Sequence, residues 1–153
     1  MRRAKFFAIL FLSIMAGSCA QMSSGPARSQ AQSKSVDSRA SEWLQSMRGT
    51  PALNITGVWD AGPSMGGGWG EARFVQTGGD VIGTMGLYNV QGVVNERNVY
   101  LVLSSNGRMY FTAHLELAGK GDLTGKAAES AIVDEPGSAT ATVYPMILKR
   151  MSD

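Results

Sequence analysis

The sequence predicts an all-β domain, an eight-stranded antiparallel up-and-down barrel, preceded by a short helix and a tether. Three observations predict it. Eight short runs of alternating apolar and polar residues follow one another from Asn54 to Arg150, the pattern of half-buried strands. Clusters of Gly, Asn and Asp separate them at close spacing, and links this short favour pairing between sequence neighbours. Three runs share an apolar-x-Gly device, Val81-Ile82-Gly83, Val90-Gln91-Gly92 and Leu123-Thr124-Gly125. A glycine on the inward face allows the close approach and bending that barrel closure requires.

The elements read in order as follows. Met1-Arg2-Arg3-Ala4-Lys5 is a basic opening, Phe6 to Met15 is apolar, and Ala16-Gly17-Ser18-Cys19-Ala20 places small residues before the single cysteine of the chain. An apolar run of about ten residues is half of what a spanning helix needs, so 1–18 reads as a signal that is removed. The segment resembles a bacterial lipoprotein signal peptide, with Ala16 where that motif usually carries leucine. The resemblance implies that Cys19 becomes the lipidated first residue and that palmitate is incorporated. It also implies a chain anchored in the bacterial cell envelope. Ala20, in place of the aspartate that commonly retains enterobacterial lipoproteins at the inner membrane, implies the outer membrane, facing the periplasm.

Residues 19–50 read as a lipid-anchored tether rich in Ser, Gln and small residues, with little to bury. Within it one short helix is expected near 38–48. Asp37 or Ser38 caps it, Ala40, Trp43, Leu44 and Met47 share a face, and Gly49 with Pro51 ends it. So short a helix is marginal alone and must dock.

The barrel domain, 51–153, carries strands expected at Asn54–Asp60, Gly70–Thr77, Val81–Gly86, Asn89–Val94, Asn98–Ser104, Arg108–Ala118, Leu123–Ala128 and Ser138–Arg150. Asn106-Gly107 is the strongest hairpin signal, since both residues tolerate the positive φ of a type I′ turn. Alternation puts Met109, Phe111, Ala113, Leu115 and Leu117 on the core face of the sixth run, with Val99, Leu101 and Leu103 on that of the fifth. Tyr100 and Val102 then face outward, apolar enough to suggest a covered wall.

Gly57-Val58-Trp59 on the first strand and Lys149-Arg150 on the last resemble the signature of the calycins, the lipocalin-like barrels. The resemblance implies that Trp59 lies across a closed end and that Arg150, or Lys149, stacks on it, since an indole face attracts a cation. Meander parity then gathers loops 61–69, 87–88, 105–107 and 129–137 at the opposite mouth, with the N-terminal helix at the closed end. Two long loops share that mouth. One, 61–69, offers Met65 and Trp69 beside Gly66-Gly67-Gly68 as a glycine-hinged lid. The other, 129–137, offers Ile132 and Val133. These four are the expected ligand contacts.

Several function classes are weakened. Without Arg2, Arg3 and Lys5 the 14 basic residues fall to 11 against 12 acidic ones, which leaves no electrostatic footprint for nucleic acid. A lone cysteine excludes an intrachain disulfide and a cysteine-rich zinc site. His114, the only histidine, reads as solvated, and Asp134 and Glu135 as solvated loop carboxylates, so no metal site and no catalytic residue is expected. The three glycines at 66–68 lack the strand–loop–helix setting of a phosphate cradle. No serine sits in a nucleophile elbow, and no cofactor is implied. The expectation is a non-catalytic, lipid-anchored binding module for a small apolar ligand or an envelope partner. The alternative is a structural or inhibitory lipoprotein whose packed barrel acts through its outer surface.

Overall fold

The computed structural model describes residues 38–62, 69–119 and 121–151. The signal segment, Cys19, the tether before Ser38, Met65 and Gly66 to Gly68 lie outside the described residues.

Eight strands form a closed antiparallel barrel in sequence order, β1 (Gly57–Asp60), β2 (Glu71–Thr77), β3 (Asp80–Met85), β4 (Tyr88–Asn95), β5 (Asn98–Ser105), β6 (Arg108–Leu117), β7 (Leu123–Glu129) and β8 (Val143–Arg150). Closure is made by β1 on β8, where Trp59 lies opposite Arg150 and Asp60 opposite Lys149. It leaves the sheet with no free edge. Each strand begins within one residue of its expected start except β1, three residues later, and β8, five residues later. A 3-10 helix, Pro136–Thr140, occupies the segment expected to open the last strand.

The interior is filled by inward side chains, among them Trp59, Phe74, Met85, Leu101, Leu103, Leu115, Leu123, Met146 and Leu148. In a barrel of eight strands, side chains of this size reach the axis. Gly83, Gly92 and Gly125 are all inward. A Cβ at Gly83 would collide with the Arg73 carbonyl, one at Gly92 with the Tyr100 carbonyl, and one at Gly125 with the His114 carbonyl. The glycines thus admit the backbone of the neighbouring strand.

A second apolar cluster lies outside the barrel. The helix α1, residues 38–46, packs Ala40, Trp43 and Leu44 against Val93, Val102, Met109 and Ala128, together with Ile132 and Val133 of the β7–β8 connection. Trp43 meets Tyr100 edge to face at 5.8 Å. The outward apolar residues of β5 are covered by the chain's own helix. Two findings differ from expectation. The helix lies on the outer wall rather than at an end of the barrel. Met109 belongs to this outer cluster, because a bulge pairs Leu103 with Phe111 and Ser104 with Met109. Tyr110 is left without a partner there, and the alternation reverses beyond it.

The closed end is sealed by the segment 50–56. Glu96 donates its N–H to the Thr50 carbonyl at 2.8 Å and accepts from Ala52 N–H at 2.9 Å. The Gln76 side chain accepts from Ile55 N–H at 2.9 Å while its amide donates to the carbonyls of Leu53 and Gly78 at 3.0 and 2.8 Å. One amide side chain thereby satisfies three backbone groups, and Ile55 is fully buried beneath them.

Candidate functional site

The closed end completes the geometry that Gly57-Val58-Trp59 suggested. Trp59 is 1% exposed, and its Nε1 donates to the Ile55 carbonyl at 2.9 Å. The Arg150 guanidinium stands 4.5 Å from the ring centroid. It also donates to the carbonyls of Asn54 at 2.7 Å and Thr56 at 3.2 Å. Gly57, at φ 136°, occupies backbone space unfavourable to other residues and brings the chain past Arg150. Arg150 rather than Lys149 takes the basic role; Lys149 is exposed and borders a shallow cleft with Asp60, Glu71 and Met151. The Trp59 N–H and the Arg150 guanidinium both have acceptors, so this end reads as a structural clamp.

The opposite end is built differently. Trp69 sits just before β2 and is 6% exposed. Its ring meets Phe111 edge to face at 4.9 Å and Tyr144 at 6.4 Å. Phe111 extends the group to Tyr88 at 5.6 Å, and Tyr88 to Tyr110 at 5.7 Å. Strand direction explains the gathering, since β2 and β4 begin at this end, and β6 and β8 begin there too. Trp69 Nε1 is buried and has no hydrogen-bond partner among the described residues. A buried donor without an acceptor costs about 1–3 kcal/mol. Tyr144 donates its hydroxyl to Glu129 at 3.0 Å, and that bond, with burial and the carboxylate charge, raises its pKa. Of the four expected contacts, Trp69 is at the mouth but turned inward as its floor. Ile132 and Val133, 3% and 2% exposed, lie under α1 on the outer wall instead. Burial of that apolar pair outweighs exposure at a rim.

What draws Ile132 and Val133 inward is a polar latch on β6. Thr112 is wholly buried; its Oγ1 donates to the Ala131 carbonyl and accepts from Val133 N–H, both at 2.8 Å. His114, expected to be solvated, has partners at both ring nitrogens: Nδ1 lies 2.8 Å from Asp134 Oδ2, and Nε2 lies 3.1 Å from Asn98 Oδ1. Its ring stacks on Tyr100 at 4.6 Å. Lys126 Nζ is 2.6 Å from the other Asp134 oxygen. Burial alone raises the Asp134 pKa, but the hydrogen bonds and charges of Lys126 and His114 outweigh it and hold the carboxyl below its ordinary range. Nδ1 holds the loop and Nε2 ties the ring to Asn98 of β5, which accounts for His114 without assigning it chemistry. Among the described residues no group of three or more His, Cys, Asp and Glu is arranged to hold a metal ion.

Sequence reasoning missed Tyr88, Phe111 and Tyr144 as mouth residues. The signal was available in the strand parity, which sends residues near the starts of β4, β6 and β8 to the same end. Compared with protein-family models, with curated proteins and with solved structures, the chain matches none of them.

Proposed function

We propose that the protein is a non-catalytic lipoprotein of the bacterial envelope, anchored through Cys19, whose open barrel end is the binding face for a small apolar ligand. The observation that carries the reading is Trp69, an indole buried at the mouth with its donor unmatched among the described residues, two aromatic rings against it, Phe111 and Tyr144, and a third, Tyr88, beyond Phe111. Native polar groups are rarely left so, and an aromatic floor offers a large contact area at small entropic cost. Because the axis is occupied by core side chains, the ligand rests at the mouth rather than deep within the barrel. The calycin-like clamp of Trp59 and Arg150 supports the same reading at the level of architecture.

The test is a titration of tryptophan emission with fatty acids and apolar dyes, using a chain in which Trp43 and Trp59 are replaced by Phe. Saturable quenching of Trp69 supports the reading. Binding that leaves Trp69 unchanged places the site elsewhere. The filled interior favours one second reading, a packed barrel acting through its outer surface. Native mass spectrometry separates the two, since a co-purifying lipid fits only the first.

A further inference from the structure

The barrel has four two-residue hairpin turns, Gly78-Gly79, Gly86-Leu87, Glu96-Arg97 and Asn106-Gly107. Three are made of the small or polar residues such turns favour. The fourth holds Leu87 out at its tip, 91% exposed, against 61% for Ile82, the next most exposed large apolar side chain described. Leu87 projects from the mouth end. Beside it Tyr88 and Tyr110 are half-buried with rings 5.7 Å apart, and the Arg108 guanidinium stands 5.7 Å over Tyr110. An apolar tip, then tyrosines, then a cation that can reach outward, is the order of side chains met on passing from acyl chains to headgroups.

We infer that this rim rests on the surface of a phospholipid bilayer, with Leu87 inserted among the upper acyl chains and Tyr88 and Tyr110 at headgroup level. The inference rests on the proposed anchoring at Cys19, which supplies the bilayer. Only residues 20–37 separate that cysteine from the first described residue, a reach of at most about 60 Å even when fully extended. A span of that size exceeds the height of the barrel, so the tether permits either end to meet the membrane, and the surfaces decide. Among the described residues the turns at the other end, Gly78-Gly79, Glu96-Arg97 and Gly119, carry no apolar tip. The exposed apolar side chain there, Met151, is only 47% exposed and lies in a cleft among the charged Asp60, Glu71, Lys149 and Arg150. Tethering holds the rim at high effective concentration, so one inserted leucine and its tyrosines suffice where a free domain would need more. Charge does not drive the contact, because Asp60, Glu71 and Glu129 stand at the same end as Arg108, with Glu71 paired to Arg73 at 2.7 Å. The contact is therefore insensitive to salt and needs no anionic lipid.

The experiment uses the protein as processed by the cell, reconstituted in phosphatidylcholine vesicles whose lipids are brominated near the top of the acyl chains. Tryptophan is placed singly at Leu87, at Ile82 on the bare wall, and at Gly119 at the closed end, where a side chain meets nothing within 4 Å. All three sites are exposed, and the native tryptophans give a common background. Leu87→Trp is expected to shift to the blue and be quenched several-fold more than the other two, unchanged by raised salt. Quenching at Leu87 no greater than at Gly119 overturns the inference. Mass analysis of the processed N-terminus tests the anchor separately. If no lipid is attached there, the same variants are added to the vesicles from solution. The rim then stands only if Leu87→Trp still ranks first and Leu87→Asp weakens vesicle binding about tenfold or more.

Discussion

Two tryptophans stand at the two ends of one barrel and are treated in opposite ways. Trp59 has an acceptor for its N–H, a cation over its ring, and a backbone strap tied down around it. Trp69 is almost as deeply buried, yet its N–H has no acceptor among the described residues and it meets the aromatic rings of Phe111 and Tyr144 edge to face. Both remove a large apolar surface from water. Only one also has its polar atom matched. The difference teaches that burial by itself does not make a structural residue. The matched end is organised for stability, and the other end keeps a buried donor without an acceptor among the described residues.

The largest effect that can break this comparison is truncation. Trp59→Ala is expected to lower unfolding free energy by about 3–5 kcal/mol, most of the stability of a small domain, and to release the 50–56 strap. Denaturant midpoints of Trp59→Ala and Trp69→Ala measure it, and equal losses with equal cooperativity would erase the contrast. A finer comparison removes only the N–H. Trp59→Phe leaves the Ile55 carbonyl unmatched and should cost about 1–3 kcal/mol beyond the lost ring volume. Trp69→Phe deletes a donor that has no partner, so in urea unfolding it should be the milder of the two. Smaller again is the cation. Arg150→Met keeps most of the side-chain length but loses the ring contact and two carbonyl hydrogen bonds, about 1–2 kcal/mol. Arg150→Lys, with one ammonium in place of a fork, should recover only part of that.

The smallest effect concerns the latch that keeps Ile132 and Val133 away from the mouth. The Asp134 carboxyl is held below its ordinary range, so its contribution is present above the unfolded value and is lost as pH falls through the lower folded value. The site is partly exposed, 43% at Asp134, and solvent keeps the effect small. Acid titration of thermal stability should therefore be slightly steeper for the native chain than for Asp134→Asn. Superimposable acid limbs would remove Asp134 from the latch.

How much of this was legible beforehand depends on the kind of information each residue carries. Alternation along β5 identified Val99, Leu101 and Leu103 as core, and the apolar character of Tyr100 and Val102 announced a covered wall without saying what covers it. The helical spacing of Ala40, Trp43 and Leu44 foretold docking but not the partner surface. A single extra residue at Tyr110 was invisible to any pattern of period two, and it moved Met109 out of the barrel interior.

The sequence by itself determined the strands, their order and the parity of the loops. These follow from local periodicity, turn chemistry and the neighbour-to-neighbour pairing that short turns favour. Only the tertiary structure decided where α1 lies, which face of the β7–β8 connection is buried, and that Trp69 turns inward. Those choices are competitions among apolar surfaces far apart in the chain. Ile132 and Val133 could cover a rim or fill a gap beneath Trp43, and both satisfy the same local pattern. The latch from Thr112, His114 and Lys126 settles the choice. Its members sit on two strands and a loop whose contact exists only once the barrel has closed.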